Sequence, residues 1–397
     1  MTRVTISSVL VMMCASAVLG AGDLTFMKKP SATASYSRVY VSRFAHGGAD
    51  KARGLVNEHS VVGVVQGMPG GVQIAIDSAK PDATQPDLVR LDFSGKGKFT
   101  GAPTASIKMR PSGSRGATMG TVGPVIVAVK RDGQSIPVFI RGTYWKQNTS
   151  RGLSLMLTSA VEGSCKFGAK TYPVRVIDGN SNLKFTDALK PPYRPSTTMA
   201  FDRITVGDSN GAFSRNSAGS YVGQPISVDG KLYSVDISGM KIKATPMKIA
   251  GGSVKVNAPR WSCTLVGKKY YLSLTGGKAP VSVPADEYVT ANYTVFTGSD
   301  PRKRCATIRG YGSYRGGKAF TVGSGQTVDL ALGAPIEATV LASKRAGKVS
   351  INLMMKDPLG GRISSITTEE GKRPPAPSID VVDKSGKTVY TAKLEYG

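Results

Sequence analysis

Oxygen-bearing side chains recur at alternate positions of one short turn. Asp178, Asn180 and Asn182 occupy its first, third and fifth positions, and Asp187 follows five residues later. In calcium loops, side chains at this spacing converge on one ion because alternate residues of a tight turn point inward. The pattern predicts a weak calcium site, of about millimolar affinity, formed by Asp178, Asn180, Asn182 and Asp187. The favoured interpretation is a turn in which Asp and Asn bond their own backbone and hold no ion. No cofactor is therefore predicted, with weak calcium binding as the alternative.

A second group of residues suited to binding lies between positions 302 and 317, where cations, aromatic side chains and glycines alternate. Aromatic faces stack on bases or sugars, while arginine contacts phosphate or sulfate. The alternative is a solvated basic loop that leads into a strand. We predict that the binding residues are Arg302, Lys303, Arg304, Arg309, Tyr311, Tyr314 and Arg315.

The sequence offers few of the groups that enzymes use as bases and nucleophiles. His46 and His59 are the only histidines, and the chain contains neither an H-E-x-x-H nor a G-x-S-x-G motif. Carboxylates that meet only in the folded chain would still permit glycoside hydrolysis. We therefore predict no catalytic residue, and whether the protein is an enzyme stays open, with the balance against it.

Three consecutive strand–turn–strand units between Thr171 and Ser238 must position the Asp and Asn side chains. Each unit joins a β-branched run to a second apolar run through a turn rich in Asp, Asn and Gly. Asp and Asn bond their own backbone in turns, and glycine accepts a positive φ. These units therefore predict β-hairpins. Their turns are centred on Asp178-Gly-Asn180, Asp208-Ser-Asn210-Gly211 and Asp229-Gly230.

Short apolar runs and turn residues continue along the rest of the chain, which contains 47 glycines. This pattern predicts an all-β protein of several antiparallel sheets, with helix below about 10% and strand content well above the usual level of roughly 20–25%. About five to seven short strands near the C-terminus predict an immunoglobulin-like β-sandwich. The predicted division is a signal peptide at 1–21, an N-terminal β-rich region with some helix permitted at 22–110, a β domain with Asp/Asn/Gly hairpins at 111–250, a basic β segment at 251–320 and the C-terminal β-sandwich at 321–397.

The first 21 residues have the pattern of a secretory signal peptide. Arg3 precedes an apolar stretch from Val9 to Leu19, and the small residues Gly20 and Ala21 follow. The stretch is too short to span a bilayer core of roughly 30 Å, and no later segment is long and apolar enough to do so. We predict that the protein is exported to the periplasm, the cell surface or the medium.

Three cysteines remain after the predicted signal peptide: Cys165, Cys263 and Cys305. In an oxidising compartment they could form one disulfide and leave one free thiol. The alternative is three thiols packed as small hydrophobic groups. The sequence does not decide between these patterns, and it contains no C-x-x-C motif of a redox or zinc site.

The formal net charge of +26 and the pI near 10.0 indicate attraction to polyanions. The surplus is uneven, since residues 239–320 contain 14 Lys and Arg against three acids. Export argues against an intracellular nucleic acid as the partner. The predicted partners are anionic polysaccharide, an envelope lipid surface or extracellular DNA, and the oligomeric state is not predicted.

The Asp/Asn/Gly hairpins, the segment Val228–Val235 and the tail that begins at Lys372-Arg-Pro-Pro-Ala-Pro377 resemble uncharacterised exported bacterial proteins built of such hairpin modules. The resemblance covers about residues 75–397, and that family carries no activity to transfer. Together these features predict an exported structural or adhesive binding protein of the cell envelope that contacts anionic polymers through a basic surface. The alternative is a hydrolase of envelope or matrix polysaccharide with an unrecognised carboxylate pair.

Overall fold

The computed structural model describes most of the chain beyond residue 20. The described residues are 21–28, 38–41, 45–46, 50, 52–57, 59–64, 72–111, 117–131, 133–147, 150–193, 201–208, 210–213, 217–300, 305–312, 318–345 and 348–394. Residues 1–20 of the predicted signal peptide lie outside them.

Thirty strands run through these residues. The first ten are β1 (Gly22–Phe26), β2 (Arg38–Val41), β3 (Ala45–His46), β4 (Val61–Val64), β5 (Gln73–Asp77), β6 (Leu88–Asp92), β7 (Thr104–Pro111), β8 (Ala117–Arg131), β9 (Gln134–Gln147) and β10 (Ser150–Thr158). The next ten are β11 (Ala160–Phe167), β12 (Lys170–Ile177), β13 (Arg203–Val206), β14 (Ala218–Tyr221), β15 (Ile226–Val228), β16 (Lys231–Ser238), β17 (Lys241–Pro246), β18 (Gly251–Lys255), β19 (Arg260–Gly267) and β20 (Tyr271–Gly276). The last ten are β21 (Val281–Pro284), β22 (Asp286–Phe296), β23 (Thr307–Tyr311), β24 (Phe320–Val322), β25 (Thr327–Asp329), β26 (Glu337–Arg345), β27 (Lys348–Lys356), β28 (Arg362–Thr367), β29 (Ser378–Val382) and β30 (Thr388–Lys393).

The predicted all-β class is confirmed. Strands account for 58% of the structure, and the described residues contain no helix. It follows that no helix in the described ranges has the length and hydropathy needed to cross a lipid bilayer. With one exception, the parallel pairing of β18 with β25, neighbouring strands run antiparallel.

The N-terminal sheet has nine strands in the order β2-β10-β9-β8-β7-β6-β5-β4-β3. It curls so that strands from both ends of this order contribute to one apolar core, which includes Ile74, Leu91, Ile140 and Leu155. Strands β7 and β8 pair across the predicted boundary at residues 110 and 111. Strands β7 to β10 therefore form one continuous surface on the side that faces away from the core.

A second sheet has eight strands in the order β14-β13-β12-β11-β1-β17-β16-β15. Strand β1 lies in its interior, where Leu24 pairs with Gly163 on β11 and Gly22 pairs with Ile242 on β17. Leu24 packs in the core of this sheet. The first strand of the chain thus joins two groups of strands that lie far along the sequence.

The hairpin predicted at Asp229-Gly230 is present between β15 and β16. Both residues have positive φ, 50° for Asp229 and 74° for Gly230. Positive φ at both central positions of a two-residue loop is the requirement of a type I′ turn, whose twist matches that of the paired strands. Asp229 also accepts hydrogen bonds from Lys170 Nζ (3.1 Å) and the Tyr172 hydroxyl (2.5 Å), which attach the turn to β12.

The predicted immunoglobulin-like sandwich at 321–397 is not confirmed. Strands β26, β27 and β28 continue a sheet whose order is β20-β19-β22-β23-β28-β27-β26, while β24 pairs with β22 and β25 with β18. These strands therefore share their sheets and their core with residues 251–320. Strands β29 and β30 form a separate hairpin. The alternation of apolar residues indicated the strands but not their partners, because period-2 alternation reports a buried face and not which strand lies alongside.

Candidate functional site

The structure brings the four predicted metal ligands together in the turn that follows β12. Asp178 is fully buried, and its Oδ2 accepts hydrogen bonds from the Leu183 N–H (2.7 Å) and from Ser159 Oγ (3.0 Å). Asp187 Oδ2 accepts from the side-chain amides of Asn180 (3.0 Å) and Asn182 (2.6 Å).

These oxygens therefore point at N–H and O–H donors. No group of three or more His, Cys, Asp or Glu in the described parts of the chain has an arrangement suited to a metal ion. The contacts are those of a turn closed by its own Asp and Asn side chains. Weak calcium binding by Asp178, Asn180, Asn182 and Asp187 stays a prediction, and it requires both amide groups to turn away from Asp187.

Asp202 completes this network, and the sequence analysis did not find it. Its side chain is fully buried, with Oδ1 accepting from the Gly179 N–H (2.9 Å) and Oδ2 from the Asp187 N–H (2.8 Å). The Asp202 N–H in turn donates to the Asp187 carbonyl (3.0 Å). Asp202 thus joins the start of β13 to the turn. No local pattern marks it, because it follows Asp187 by fifteen residues.

Burial changes the ionisation of both buried acids. Burial raises the pKa of Asp178 to about 6, against hydrogen bonds that favour its ionised form. Burial and the neighbouring Asp178 carboxylate raise the pKa of Asp202 to about 8. Both side chains are closed off from solvent, so they are placed to hold the turn and not to meet a substrate.

The predicted cation and aromatic segment is only partly described. Arg302, Lys303, Arg304, Tyr314 and Arg315 lie outside the described residues. Arg309 and Tyr311 lie on β23 and are exposed, and Tyr311 faces Arg362 on β28. Two of the seven predicted residues are thus accessible to a partner, and binding by the whole set stays a prediction.

The cysteines are not paired. Cys165, Cys263 and Cys305 are free thiols, and the first two are buried. Burial raises the pKa of the Cys165 and Cys263 thiols, which favours the unreactive protonated form. Of the two patterns that the sequence left open, the structure has the one without a disulfide. Cys305 differs from the other two thiols in being only half-buried.

A larger cationic surface, which sequence analysis missed, lies on the outward side of strands β7 to β10. These four strands contain no Asp or Glu and seven Lys or Arg. Side chains alternate between the two sides of a sheet. Lys108, Arg110 and Arg141 are exposed on the side away from the core, which we call the outer face. None of the three is in an ion pair within the described parts of the chain. The sequence signal was the scarcity of acids between Asp92 and Glu162, where Asp132 is the one acid, but the similar cationic surplus at 239–320 drew attention away from it.

Trp145 lies among these cations. It pairs with Gly152 across β9 and β10, and a Cβ atom at position 152 would lie 2.5 Å from Nε1 and from Cζ2 of the indole. One side of the indole therefore covers the glycine, while 40% of the residue stays exposed. Arg110 lies two strands away, about 10 Å, and Arg141 four residues along β9, about 13 Å. This arrangement places an accessible aromatic ring on the same face of the sheet as these cations.

The sequence matches no protein-family model, and comparisons with curated proteins and with solved structures find no similar protein.

Proposed function

We propose that this chain is an exported binding protein of the cell envelope that holds anionic polymers on a cationic surface. The observation that carries the proposal is the outer face of β7 to β10, where Lys108, Arg110 and Arg141 share one side of the sheet with Trp145 and no acid is present in the four strands. A face of one charge sign attracts a polymer of the opposite sign and raises its rate of encounter.

The chemistry of the outer face suits a polymer that carries both rings and anionic groups. Lysine and arginine that have no ion-pair partner in the described structure release counterions when they contact phosphate, sulfate or carboxylate. An exposed indole stacks on a sugar or base with little dependence on sequence. The surface therefore supports binding of moderate selectivity and strong salt dependence.

Export and envelope location belong to the same proposal, and the first 21 residues support them. The net charge of +26 extends the attraction beyond the outer face. Arg309 and Tyr311 on β23 provide a second exposed position at which a long polymer can make contact.

The test measures binding of the chain without residues 1–21 to a carboxylated polysaccharide, a sulfated polysaccharide and duplex DNA over a series of salt concentrations. In the face variant, Lys108, Arg110 and Arg141 are all replaced by Gln. We expect the slope of log affinity against log salt to fall by roughly one unit for each cation that no longer meets an anionic group of the polymer.

A matched control replaces Lys384, Lys387 and Lys393 by Gln, since these residues are exposed near the C-terminal hairpin and the change in net charge is the same. The control should keep most of the affinity and the slope. Equal losses in the two variants would show that only net charge matters, and an unchanged slope in the face variant would place binding elsewhere.

A further inference from the structure

A cavity of about 200 Å³ lies at one end of the nine-stranded sheet, on the side opposite the outer face. Its walls include Asn57 and His59 from the loop before β4, Gln85 from the loop before β6, and Tyr144, Lys146 and Arg151 from β9 and β10. Tyr144 and Lys146 alternate with Trp145 along β9, so they point to the opposite side of the sheet. The volume exceeds that of a single water, whose share of liquid volume is about 30 Å³.

Two cations face each other in this cavity. Arg151 and Lys146 are directly opposite in the antiparallel register of β10 and β9. Like charges in this position destabilise a sheet. Neither side chain has an ion pair within the described residues. Among the residues that the structure describes, Asp77 is the acid that lines the cavity, but its carboxylate is buried and paired with Arg90 Nε at 2.6 Å.

A tyrosine hydroxyl also points into the cavity. Tyr144 is 1% exposed, and its hydroxyl has no hydrogen-bond partner in the part of the chain that the structure describes. Arg151 is close enough to interact electrostatically with this hydroxyl. The hydroxyl is not among the described side-chain atoms that are fully closed off without a partner, so it is open to the cavity and available to a ligand atom.

We propose that this cavity binds a compact oxyanion group, a carboxylate, sulfate or phosphate, through Arg151, Lys146 and the Tyr144 hydroxyl. An oxyanion separates the two opposed cations and accepts a hydrogen bond from the tyrosine. Charge-assisted bonds of this kind are stronger than neutral ones. The remaining volume accommodates a small polar carrier such as one acidic sugar, beside Asn57 and Gln85. This site is independent of polymer binding on the outer face.

The test is calorimetric titration of the chain without residues 1–21 with inorganic phosphate, inorganic sulfate and glucuronate, at constant ionic strength in chloride. Melting temperatures are measured in parallel, because a ligand that binds the folded state raises them by mass action. We expect saturable binding of at least one of the three probes. The preferred probe identifies the carrier, since glucuronate presents a carboxylate on a sugar and the other two are free ions.

Three variants decide the assignment. Tyr144→Phe should weaken binding roughly tenfold, and Arg151→Gln by tenfold or more, because each removes a bond to the anion. Without ligand, neither variant should melt lower than the wild type, since one loses an unpartnered hydroxyl and the other loses a like-charge repulsion. Lys387→Gln, at the exposed C-terminal hairpin and outside both proposed sites, should leave binding unchanged.

Absence of saturable binding for all three probes overturns the proposal. Affinities that are the same in Tyr144→Phe, Arg151→Gln and the wild type overturn it as well. Loss of polymer binding in the face variant together with normal anion binding would leave this cavity site supported.

Discussion

Trp145 and Gly152 face each other across β9 and β10, and the indole covers the glycine. The same relationship occurs between Trp261 and Gly276 on β19 and β20, where a Cβ at position 276 would lie 2.5 Å from Cζ2 of the indole. Both tryptophans of the chain thus pack on a glycine of the neighbouring strand, an arrangement that compensates a glycine in a sheet. Trp261 is 1% exposed, whereas Trp145 stays accessible from its other side.

Gly152→Ala should displace the Trp145 indole and weaken polymer binding. The new methyl group overlaps the ring, but the exposed indole can rotate away, so we expect the free energy of unfolding to fall by only about 1 kcal/mol. Gly276→Ala is the matched control. Its methyl group meets a buried indole, so it should cost more, roughly 3 kcal/mol, and leave polymer affinity unchanged. Urea denaturation and polymer titration measure the two effects, and equal polymer affinity in Gly152→Ala and wild type would contradict a role for Trp145.

The free energy of unfolding should fall as the pH rises from about 4 to about 8. Asp178 and Asp202 have raised pKa values, about 6 and about 8, so the folded state binds more protons than the unfolded state in this window. Their contribution is full below the ordinary Asp pKa and is lost as the pH rises through the folded values. A decrease of several kcal/mol should appear when urea denaturation is measured at a pH below both pKa values, between them and above both.

Asp202→Asn should remove the upper part of this decrease. Asp236→Asn is the control, since Asp236 is an exposed carboxyl on β16. Stability that rises with pH over the same window would contradict the raised pKa values.

Asp77→Asn should destabilise the protein by roughly 3 to 5 kcal/mol, because it leaves the Arg90 guanidinium without its buried partner. Burial would raise the pKa of Asp77, but hydrogen bonds from Ser60, Arg90 and backbone amides together hold it below its usual value. The stability that the ionised carboxylate contributes is therefore present at neutral pH and lost in strong acid. The difference between variant and wild type should shrink at acidic pH.

Glu287→Gln provides the comparison for an exposed ion pair. Lys268 and Glu287 have side chains that are 75% and 44% exposed. Exposed ion pairs contribute little to stability, so we expect the free energy of unfolding to change by about 0.5 kcal/mol or less. If Asp77→Asn and Glu287→Gln lowered the free energy of unfolding by similar amounts, the inference that burial strengthens the contribution of the Asp77 ion pair would be wrong.

One thiol of the chain without residues 1–21 should react rapidly with a chromogenic disulfide reagent. Cys165 and Cys263 are buried, whereas Cys305 is half-buried with its Sγ 3.5 Å from Arg260 Nη2. All three thiols should react after unfolding in urea. Cys305→Ser should abolish the rapid phase, and two rapidly reacting thiols in the folded protein would contradict the burial of Cys165 and Cys263.

Much of the fold followed from local chemistry. The Asp229-Gly230 turn was predictable because only a few residue types accept positive φ at both positions of a two-residue loop. The strand content followed from period-2 alternation in the same way. Asn180 and Asn182 contact Asp187 within one turn, so their spacing in the sequence was enough to indicate that these side chains lie together.

The pairing of distant segments was not predictable from local patterns. Strand β23 pairs with β28, about fifty residues later, and Asp202 reaches Gly179 from the position just before β13. Period-2 alternation carries no information about which strand lies alongside. The outer face was missed for a related reason, since Arg110 and Trp145 become neighbours only when β7, β8 and β9 lie side by side.

The interior position of β1 has a consequence for the order of events during synthesis. Gly22 to Phe26 leave the ribosome early, yet their partners on β11 and β17 are synthesised between about 130 and 220 residues later. Contacts this distant in sequence slow folding, because the loop between them must close before any pairing compensates the lost entropy. The eight-stranded sheet therefore cannot close on a nascent chain until at least residue 242 has emerged, and this delay suits a chain that has to stay unfolded for the export proposed above.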